Sequence, residues 1–282
     1  MQVIPSKELL PFIKHYLFLD YKGTGINKLR LFSDGNTGMV FSYNGNLISD
    51  IQKSRQIDYL PKSFVYGQIS EYKNLYSEKN ASLIIVVFQP NGIKGLLGIP
   101  ANEIKDRIIC TEDIFGLKGL ILQEKLYDQV DLEAKSNLLD TFFLTISSKQ
   151  SIAVQPLIQT SIDFIFKSRG SITINQLVKK TGYTERHIER VFRECIGLNP
   201  KKFGKIVQLH HFLNLVKLKS GQTTITGLCY EAGYYDQSHL NKEFKKYTGI
   251  TPMQYINKTI RLAVNFMEIN AIEVPMSGLY NL

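Results

Sequence analysis

The sequence has few cysteines and no long apolar run, which argues against two broad classes of protein. Its three cysteines, Cys110, Cys195 and Cys229, are far apart and form no C-x-x-C pair. We therefore expect reduced, partly buried thiols and neither a disulfide framework nor a zinc site. The longest apolar run, 83–88, has six residues, whereas a membrane helix needs about 20. The first residues lack a small-residue cleavage site, so we expect no signal peptide and a cytoplasmic protein that does not enter membranes.

Motifs of the common enzyme classes are also missing. The chain contains no G-x-S-x-G, P-loop or G-x-G-x-x-G pattern. Only one histidine, His15, precedes His187, which argues against a catalytic or metal-binding site of clustered histidines in the first half. Cys110 has no neighbouring His or Cys in the sequence to activate it as a nucleophile. We predict that the chain is not an enzyme and uses no cofactor or metal.

The positive charge is concentrated in one part of the chain. Residues 1–150 contain 17 Lys and Arg against 16 Asp and Glu, a net charge of +1. Residues 151–258 contain 16 against 7, a net charge of +9, and residues 259–282 contain 1 against 2. A folded basic block of this kind indicates a polyanionic partner, most often a nucleic acid. An anionic membrane surface and a merely solvated basic face are the alternatives.

The first half of the chain has a strand-like pattern followed by helices. Apolar and polar residues alternate between 33 and 90, around turn signals at Asp34-Gly35 and Asn44-Gly45, and the second signal predicts a hairpin. The stretch 81–90 is typical of a buried strand. Helical spacing follows over 114–127 and 131–147. The aromatic residues of this half are interpreted as core in preference to the lining of an apolar ligand pocket: Phe41, Tyr43, Phe64, Tyr66 and Phe88.

The basic block contains an internal repeat. The stretch 182–203 aligns with 233–255, and Ile174, Leu177 and Gly182 recur 51 residues later. After one inserted residue, five further positions recur at an offset of 52: His187, Phe192, Gly197, Pro200 and Phe203 match His239, Phe244, Gly249, Pro252 and Tyr255. Agreement at eight positions with the same glycine and proline punctuation indicates duplicated structure.

Each copy has the features of a helix-turn-helix unit. A short helix with Ile and Leu at i, i+3 spacing ends at a glycine, and a capping candidate, Thr184 or Asp236, precedes a second helix. The outer face of that second helix is polar and basic, with residue types that contact base edges and phosphates. These candidate DNA-binding residues are Arg186, Glu189, Arg190 and Arg193 in the first copy, and Gln237, Ser238, Asn241, Lys242 and Lys245 in the second. A purely structural repeat of packed helices is the alternative.

The segment between the copies predicts a rigid connector. It begins with a proline suited to a first helical turn and ends at Gly221, so a helix of roughly 19 residues is expected. Such a helix is about 28 Å long, and recognition helices that enter successive major grooves are roughly 34 Å apart. His210 and His211 on this connector are interpreted as packing or surface residues and not as metal ligands.

The sequence pattern predicts six or seven short helices from residue 155 onward. The block 155–258 resembles the DNA-binding domain of the AraC/XylS regulators, which has seven helices. The resemblance is carried mainly by GYYDQSHLNKEFKKYTGITPMQY at 233–255, which fits the family pattern G-x-[ST]-P-x-x-[YF]. The first unit matches less tightly. Three residues occupy places where the family usually has alanine: Val178 and Thr181 in the first unit and Cys229 in the second. The base-contacting positions implied by the resemblance are Arg186, Glu189 and Arg190, then Gln237, Ser238, Asn241 and Lys242. Glu189 either contributes to specificity or orients a neighbouring arginine, and His187 and His239 pack at the helix edge or touch phosphate.

The resemblance implies an α+β protein that acts as a bacterial transcription factor. It predicts a cupin-like β-barrel or sandwich with a helical hairpin at 1–147 for sensing or dimerisation, a linker at 148–154 and an all-α domain with two helix-turn-helix units at 155–258. An extension, 259–282, follows, in which 261–269 is expected to form a short helix. Double-stranded promoter or operator DNA and RNA polymerase are the implied partners, and a small-molecule effector and a homodimer stay open. The alternative function is an enzyme or ligand-binding protein with an appended DNA-binding domain.

Overall fold

A computed structural model describes residues 1–23, 25–51, 57–148, 156–219 and 223–269. The region before residue 111 is rich in strands, and helices dominate from there to residue 258. Antiparallel pairing arranges the strands in two sheets. The first sheet has the order β1 (Gln2–Val3), β2 (Ile13–Tyr21), β9 (Ala81–Phe88), β4 (Gly38–Asn44), β7 (Ser63–Tyr66) and β10 (Ile108–Cys110). The second has the order β11 (Ile260–Ala263), β12 (Phe266–Glu268), β3 (Asn27–Leu31), β8 (Lys73–Ser77), β5 (Leu47–Ile51) and β6 (Ile57–Tyr59).

Strand β9 lies inside the first sheet and is covered on both faces. Ile84, Val86 and Phe88 belong to the core beneath the helices of the first half. Ala81 and Leu83 face the second sheet, in a core that contains residues of both sheets. A strand buried on both faces needs a continuous apolar sequence, since alternate side chains enter two cores. The prediction of a buried strand at 81–90 is confirmed.

The two sheets form a sandwich, and among the described strands none pairs across from one sheet to the other. Of the two expected architectures, the sandwich is confirmed and the closed barrel is wrong. The predicted hairpin at Asn44-Gly45 is wrong too, because β4 pairs with β7 and β9 and β5 pairs with β6 and β8. Gly45 does adopt a positive φ of 75°, but the chain crosses there between sheets. The pairing partners of β4 and β5 are therefore set by contacts with distant strands and not by the local turn signal.

Helices cover the outer face of the first sheet. They are α1 (Gly92–Leu97), α2 (Thr111–Phe115), α3 (Leu117–Asp128) and α4 (Leu132–Ser147). Asp131 caps α4 by accepting a hydrogen bond from the Ala134 amide. Phe143 of α4 packs edge-on against Phe88 of β9, with ring centroids 5.9 Å apart. The helix predicted at 131–147 therefore forms, whereas the one predicted at 114–127 is broken at Gly116 and continues as α3. Both cover the core of the first sheet.

The C-terminal block contains seven helices, as the family resemblance implies. They are α5 (Pro156–Lys167), α6 (Ile174–Thr181), α7 (Glu185–Ile196), α8 (Pro200–Leu218), α9 (Ile225–Glu231), α10 (Gln237–Thr248) and α11 (Pro252–Lys258). All seven share one apolar core. In the described ranges, no helix combines the length and apolarity that crossing a bilayer requires.

Two expectations about segment ends have different outcomes. The linker predicted at 148–154 lies, apart from Ser148, outside the described residues. The short helix expected at 261–269 is wrong, because Ile260–Ala263 and Phe266–Glu268 form an antiparallel pair of strands. Strand β12 then pairs with β3. The free edge of the second sheet supplies backbone hydrogen-bond partners that sequence spacing alone does not reveal.

Candidate nucleic-acid interface

The first helix-turn-helix unit presents a basic helix on its surface. Thr184 caps α7 by accepting from the His187 amide, as its sequence position predicts. Ile188, Val191 and Phe192 face the core, so the opposite face of the helix points outward. Arg186, Arg190 and Arg193 are exposed there, and Glu189 is half-buried.

Two acidic residues pair with two of the three exposed arginines of α7. Glu189 Oε2 lies 3.1 Å from Arg193 Nη2, and Glu194 Oε2 lies 3.7 Å from Arg190 Nη1. Of the two roles left open for Glu189, the structure therefore shows it as a partner of an arginine. Exposed pairs of this i, i+4 type contribute about 0.3–0.5 kcal/mol each. Because each pair is weak, a DNA phosphate can replace the carboxylate at small cost. Arg190 and Arg193 therefore remain available to bind DNA.

The second unit has the same construction with a less acidic surface. Asp236 caps α10 by accepting from the His239 amide at 2.7 Å, and Leu240 and Phe244 are buried. The five candidate residues on the outer face are all exposed: Gln237, Ser238, Asn241, Lys242 and Lys245. Gln237 Oε1 accepts a hydrogen bond from Thr226 of α9. Among the ion pairs of the described residues, none involves Lys242 or Lys245.

The two equivalent histidines pack against tyrosines at the entrance of each recognition helix. His187 stacks on Tyr183 with ring centroids 5.1 Å apart, and His239 meets Tyr234 edge-on at 5.5 Å. This agrees with the first of the two roles considered for them. Sequence reasoning missed Tyr235, whose side chain is 85% exposed just before α10. The residue inserted in the second repeat was the available signal, because it places this additional phenol, a group that can contact phosphate, at the helix entrance.

The predicted connector is the 19-residue helix α8. Asn199 caps it and Pro200 occupies its first turn. Phe203 and Phe212 are fully buried on α8, and the shared core ties the connector to both units. His210 contacts the first half of the chain, with Nε2 2.9 Å from the Ser33 carbonyl oxygen. Burial lowers the pKa of His210, which favours the neutral ring. Among the described residues, no group of His, Cys, Asp and Glu side chains could hold a metal ion.

A second candidate site is a cavity of about 1160 Å³ that lies between the two sheets and is also lined by residues of α5 and α8, among them Phe166 and Val207. Aliphatic side chains form one part of its walls, with Leu19, Val40, Leu83 and Ile85 among the lining residues. Polar and charged side chains lie elsewhere on the lining, including Lys14, Asp34, Arg107, Arg169 and His210. Of the five aromatic residues interpreted as core, Phe41 and Phe88 are fully buried in the core, whereas Phe64 and Tyr66 also line the cavity. The site could take a small molecule with an apolar body and a polar end.

Two family models match separate parts of the chain. Residues 177–258 match a family described as a helix-turn-helix domain, which covers both recognition helices. Residues 1–110 match a family described as a domain of unknown function (DUF6597). The residues between 110 and 177, and those after 258, lie outside both matches.

Curated relatives include regulators from two bacterial groups. The chain is 28% identical over 167 residues to the lactose operon transcription activator of Staphylococcus xylosus, with 57% of each chain covered. It is 26% identical over 160 residues to an uncharacterised HTH-type transcriptional regulator of Haemophilus influenzae, covering 52% of this chain and 53% of the relative. The chain thus spans just over half the length of these relatives.

Solved structures show a similar fold over most of the chain. ToxT from Vibrio cholerae superposes with a TM-score of 0.52 at 12% identity, covering 86% of this chain and 97% of ToxT. A structure of wild-type ToxT with a bound unsaturated fatty acid gives a TM-score of 0.50 at 12% identity, with 86% and 94% covered. The shared fold comprises the sheet-rich first half as well as the helical block.

Proposed function

We propose that this chain is a helix-turn-helix regulator of the AraC/XylS family and controls transcription by binding operator DNA with α7 and α10 together. One observation carries the proposal: two equivalent helices expose basic and amide side chains while one shared core fixes them to a common connector. Arginine, lysine and asparagine on such faces supply both phosphate contacts and base-edge hydrogen bonds. The connector length of about 28 Å suits adjacent major-groove segments on one side of a duplex.

Salt dependence tests the DNA-binding proposal. Five of the candidate DNA-binding residues on the two recognition helices are exposed cations: Arg186, Arg190, Arg193, Lys242 and Lys245. If each neutralises one phosphate, the slope of log affinity against log salt is expected to be about −4 to −5. Fluorescence anisotropy with a labelled operator between low and moderate salt measures the slope, with random-sequence duplex as competitor. A slope near zero, or equal affinity for random duplex at fixed salt, contradicts the proposal.

We further propose that the cavity between the sheets receives a small-molecule effector with a long apolar body and a polar end. Its aliphatic lining and its charged side chains support this, and so does the fold shared with ToxT, one structure of which holds an unsaturated fatty acid. The effector would change operator affinity by binding more tightly to one of two conformations of the protein, which differ in their affinity for the operator.

RNA polymerase and a second copy of the chain are the further partners we propose. Leu117 and Ile121, exposed one turn apart on α3, offer an apolar surface for the second copy.

Filling the cavity tests the effector proposal. Ile85 lines it from β9, so Ile85→Phe is expected to reduce the stabilisation of the protein by added oleate, because the extra ring occupies the volume of the ligand. Thermal unfolding with increasing oleate measures this, and Val130→Phe, at a position between α3 and α4 that is exposed and does not line the cavity, is the control. A panel of aromatic and aliphatic carboxylates extends the test beyond oleate. If no compound of the panel raises the unfolding temperature of the wild type, the effector proposal is wrong.

A further inference from the structure

The C-terminal segment after α11 returns to the first half of the chain. Strand β12 pairs with β3 so that Phe266, Met267 and Glu268 lie opposite Leu31, Arg30 and Leu29. The junction is reinforced because the Phe32 amide donates to the Asn265 carbonyl oxygen at 3.0 Å and Asn265 Nδ2 donates to the Phe32 carbonyl oxygen at 3.0 Å. We call β11, β12 and their turn, residues 260–268, the C-terminal strap. Neither matched family model includes it.

Two adjacent residues of the strap enter different cores. Phe266 is buried in the core between the sheets and also lines the cavity. Met267 is fully buried in the core of the helical block, which also contains Phe32 from the first half. This division follows from strand geometry, since successive side chains point to opposite faces. One strand therefore forms part of the cavity wall on one face and part of the DNA-binding domain on the other.

The Met267 side of the strap reaches the end of the second recognition helix. Arg30, the register partner of Met267, is 8% exposed and its Nη1 donates to the Thr248 carbonyl oxygen in the last turn of α10 at 3.4 Å. Its guanidinium also lies 4.3 Å from the Tyr72 ring centroid and donates through Nε to Asn74. A cation at a helix C-terminus interacts favourably with the carbonyl groups that carry the negative end of the dipole. The Arg30 contact thus fixes α10 to the sheet that the strap completes.

A second contact fixes the strap to the last helix. The Tyr255 hydroxyl of α11 donates to the Val264 carbonyl oxygen in the strap turn at 2.9 Å. The Tyr255 ring in turn packs edge-on against Phe244 of α10, with centroids 5.8 Å apart. The strap therefore contacts α10 through Arg30 on the neighbouring strand and through Tyr255 on α11.

From these contacts we infer that the C-terminal strap couples the cavity to the second helix-turn-helix unit: a molecule that pushes on Phe266 shifts Met267 and Arg30, and with them α10. The inference rests on the proposed effector site and adds its route to the DNA-binding surface. Well-packed protein cores repack between discrete arrangements and do not deform freely. A displacement of β12 on the cavity side is therefore transmitted to the helical side.

A double-mutant cycle that needs no ligand and no DNA tests the coupling. Ile85→Trp fills the cavity from β9 of the first sheet, opposite the second sheet that contains the strap. Met267→Ala removes the side chain that connects the strap to the core of the helical block. Hydrogen exchange of amides in 237–248 is the readout, with 185–196 of the first unit as the internal reference. Filling the cavity is expected to change exchange in 237–248 by about 2- to 30-fold, and this change is expected to disappear in the Met267→Ala background. Ile260→Ala, at an exposed position of the strap, is the control and should preserve the change.

The outcomes separate the strap from the proposed function. An unchanged exchange rate in 237–248 on filling, or the same change with and without the Met267 side chain, would overturn the coupling. Ile85→Phe provides a milder filling variant should the tryptophan prevent folding, and circular dichroism verifies folding of each protein. If the cycle shows coupling but the chain binds no operator, the proposed function fails alone. If the chain binds operator but the cycle shows none, the inference fails alone.

Discussion

Replacing Arg190 and Asn241 together with alanine is expected to weaken specific operator binding by about 2–6 kcal/mol, because each side chain is expected to contribute about 1–3 kcal/mol through base contacts. The two residues lie on different recognition helices, and both are exposed. Since they share no partner, their effects should add. Fluorescence anisotropy with the operator duplex at fixed salt measures the single and double variants, and affinity for random-sequence duplex should fall much less.

The control for the DNA-binding variants removes charge away from the proposed interface. Lys118→Ala on α3 deletes one exposed cation of the first half and is expected to leave operator affinity within about twofold, since screening weakens charges beyond about 8–10 Å. If the double variant binds no more weakly than Arg190→Ala alone, Asn241 does not contact the operator. If it binds as well as the wild type, neither residue contacts the operator.

Replacing Phe212 with alanine is expected to lower the free energy of unfolding by about 3–5 kcal/mol, because a fully buried ring leaves a cavity in a packed core. Phe212 has no exposed surface and lies on the connector α8. Its ring meets Tyr234 and Phe244 edge-on, with centroids 6.4 and 5.9 Å away. The loss should therefore loosen the second unit as well as the connector. Urea denaturation followed by circular dichroism measures it.

A substitution on the same helix provides the comparison for Phe212. Leu218 ends α8 and is 74% exposed, so Leu218→Ala is expected to change the free energy of unfolding by at most about 0.5 kcal/mol. Equal effects of the two substitutions would contradict the structure, because they would mean that Phe212 is not part of a tightly packed core.

The helical block could be predicted closely because its signals are local. A cap such as Thr184 or Asp236 acts within three residues, and an apolar stripe repeats within each turn. The duplication supplies a second copy of the helix-turn-helix pattern, which supports the prediction made from the first copy. The length of α8 could be predicted from the Pro and Gly that flank it. Which acidic residue pairs with which arginine was not predictable, because Glu189 has several arginines within reach along one helix. Side-chain packing settles that choice.

The sheets and the strap depended on partners far away in the sequence. The segment 260–268 has no strong pattern of its own and becomes strands because β3, more than 200 residues earlier, leaves an edge to complete. Phe32 belongs to a strand-rich part of the sequence but is buried among the helices. The cavity between the sheets arises from this same long-range assembly. For these reasons the fold class of the first half could be predicted from the sequence. Its strand order and the cavity could not be predicted.

Footprinting of the full chain on its operator tests the central claim most directly. We expect two protected segments on one face of the duplex, their centres about one helical turn apart, because one connector presents both recognition helices. Arg190→Ala should reduce protection chiefly in one segment and Asn241→Ala chiefly in the other. A single protected segment that both variants weaken equally would contradict the account, since it would mean that α7 and α10 do not bind DNA together.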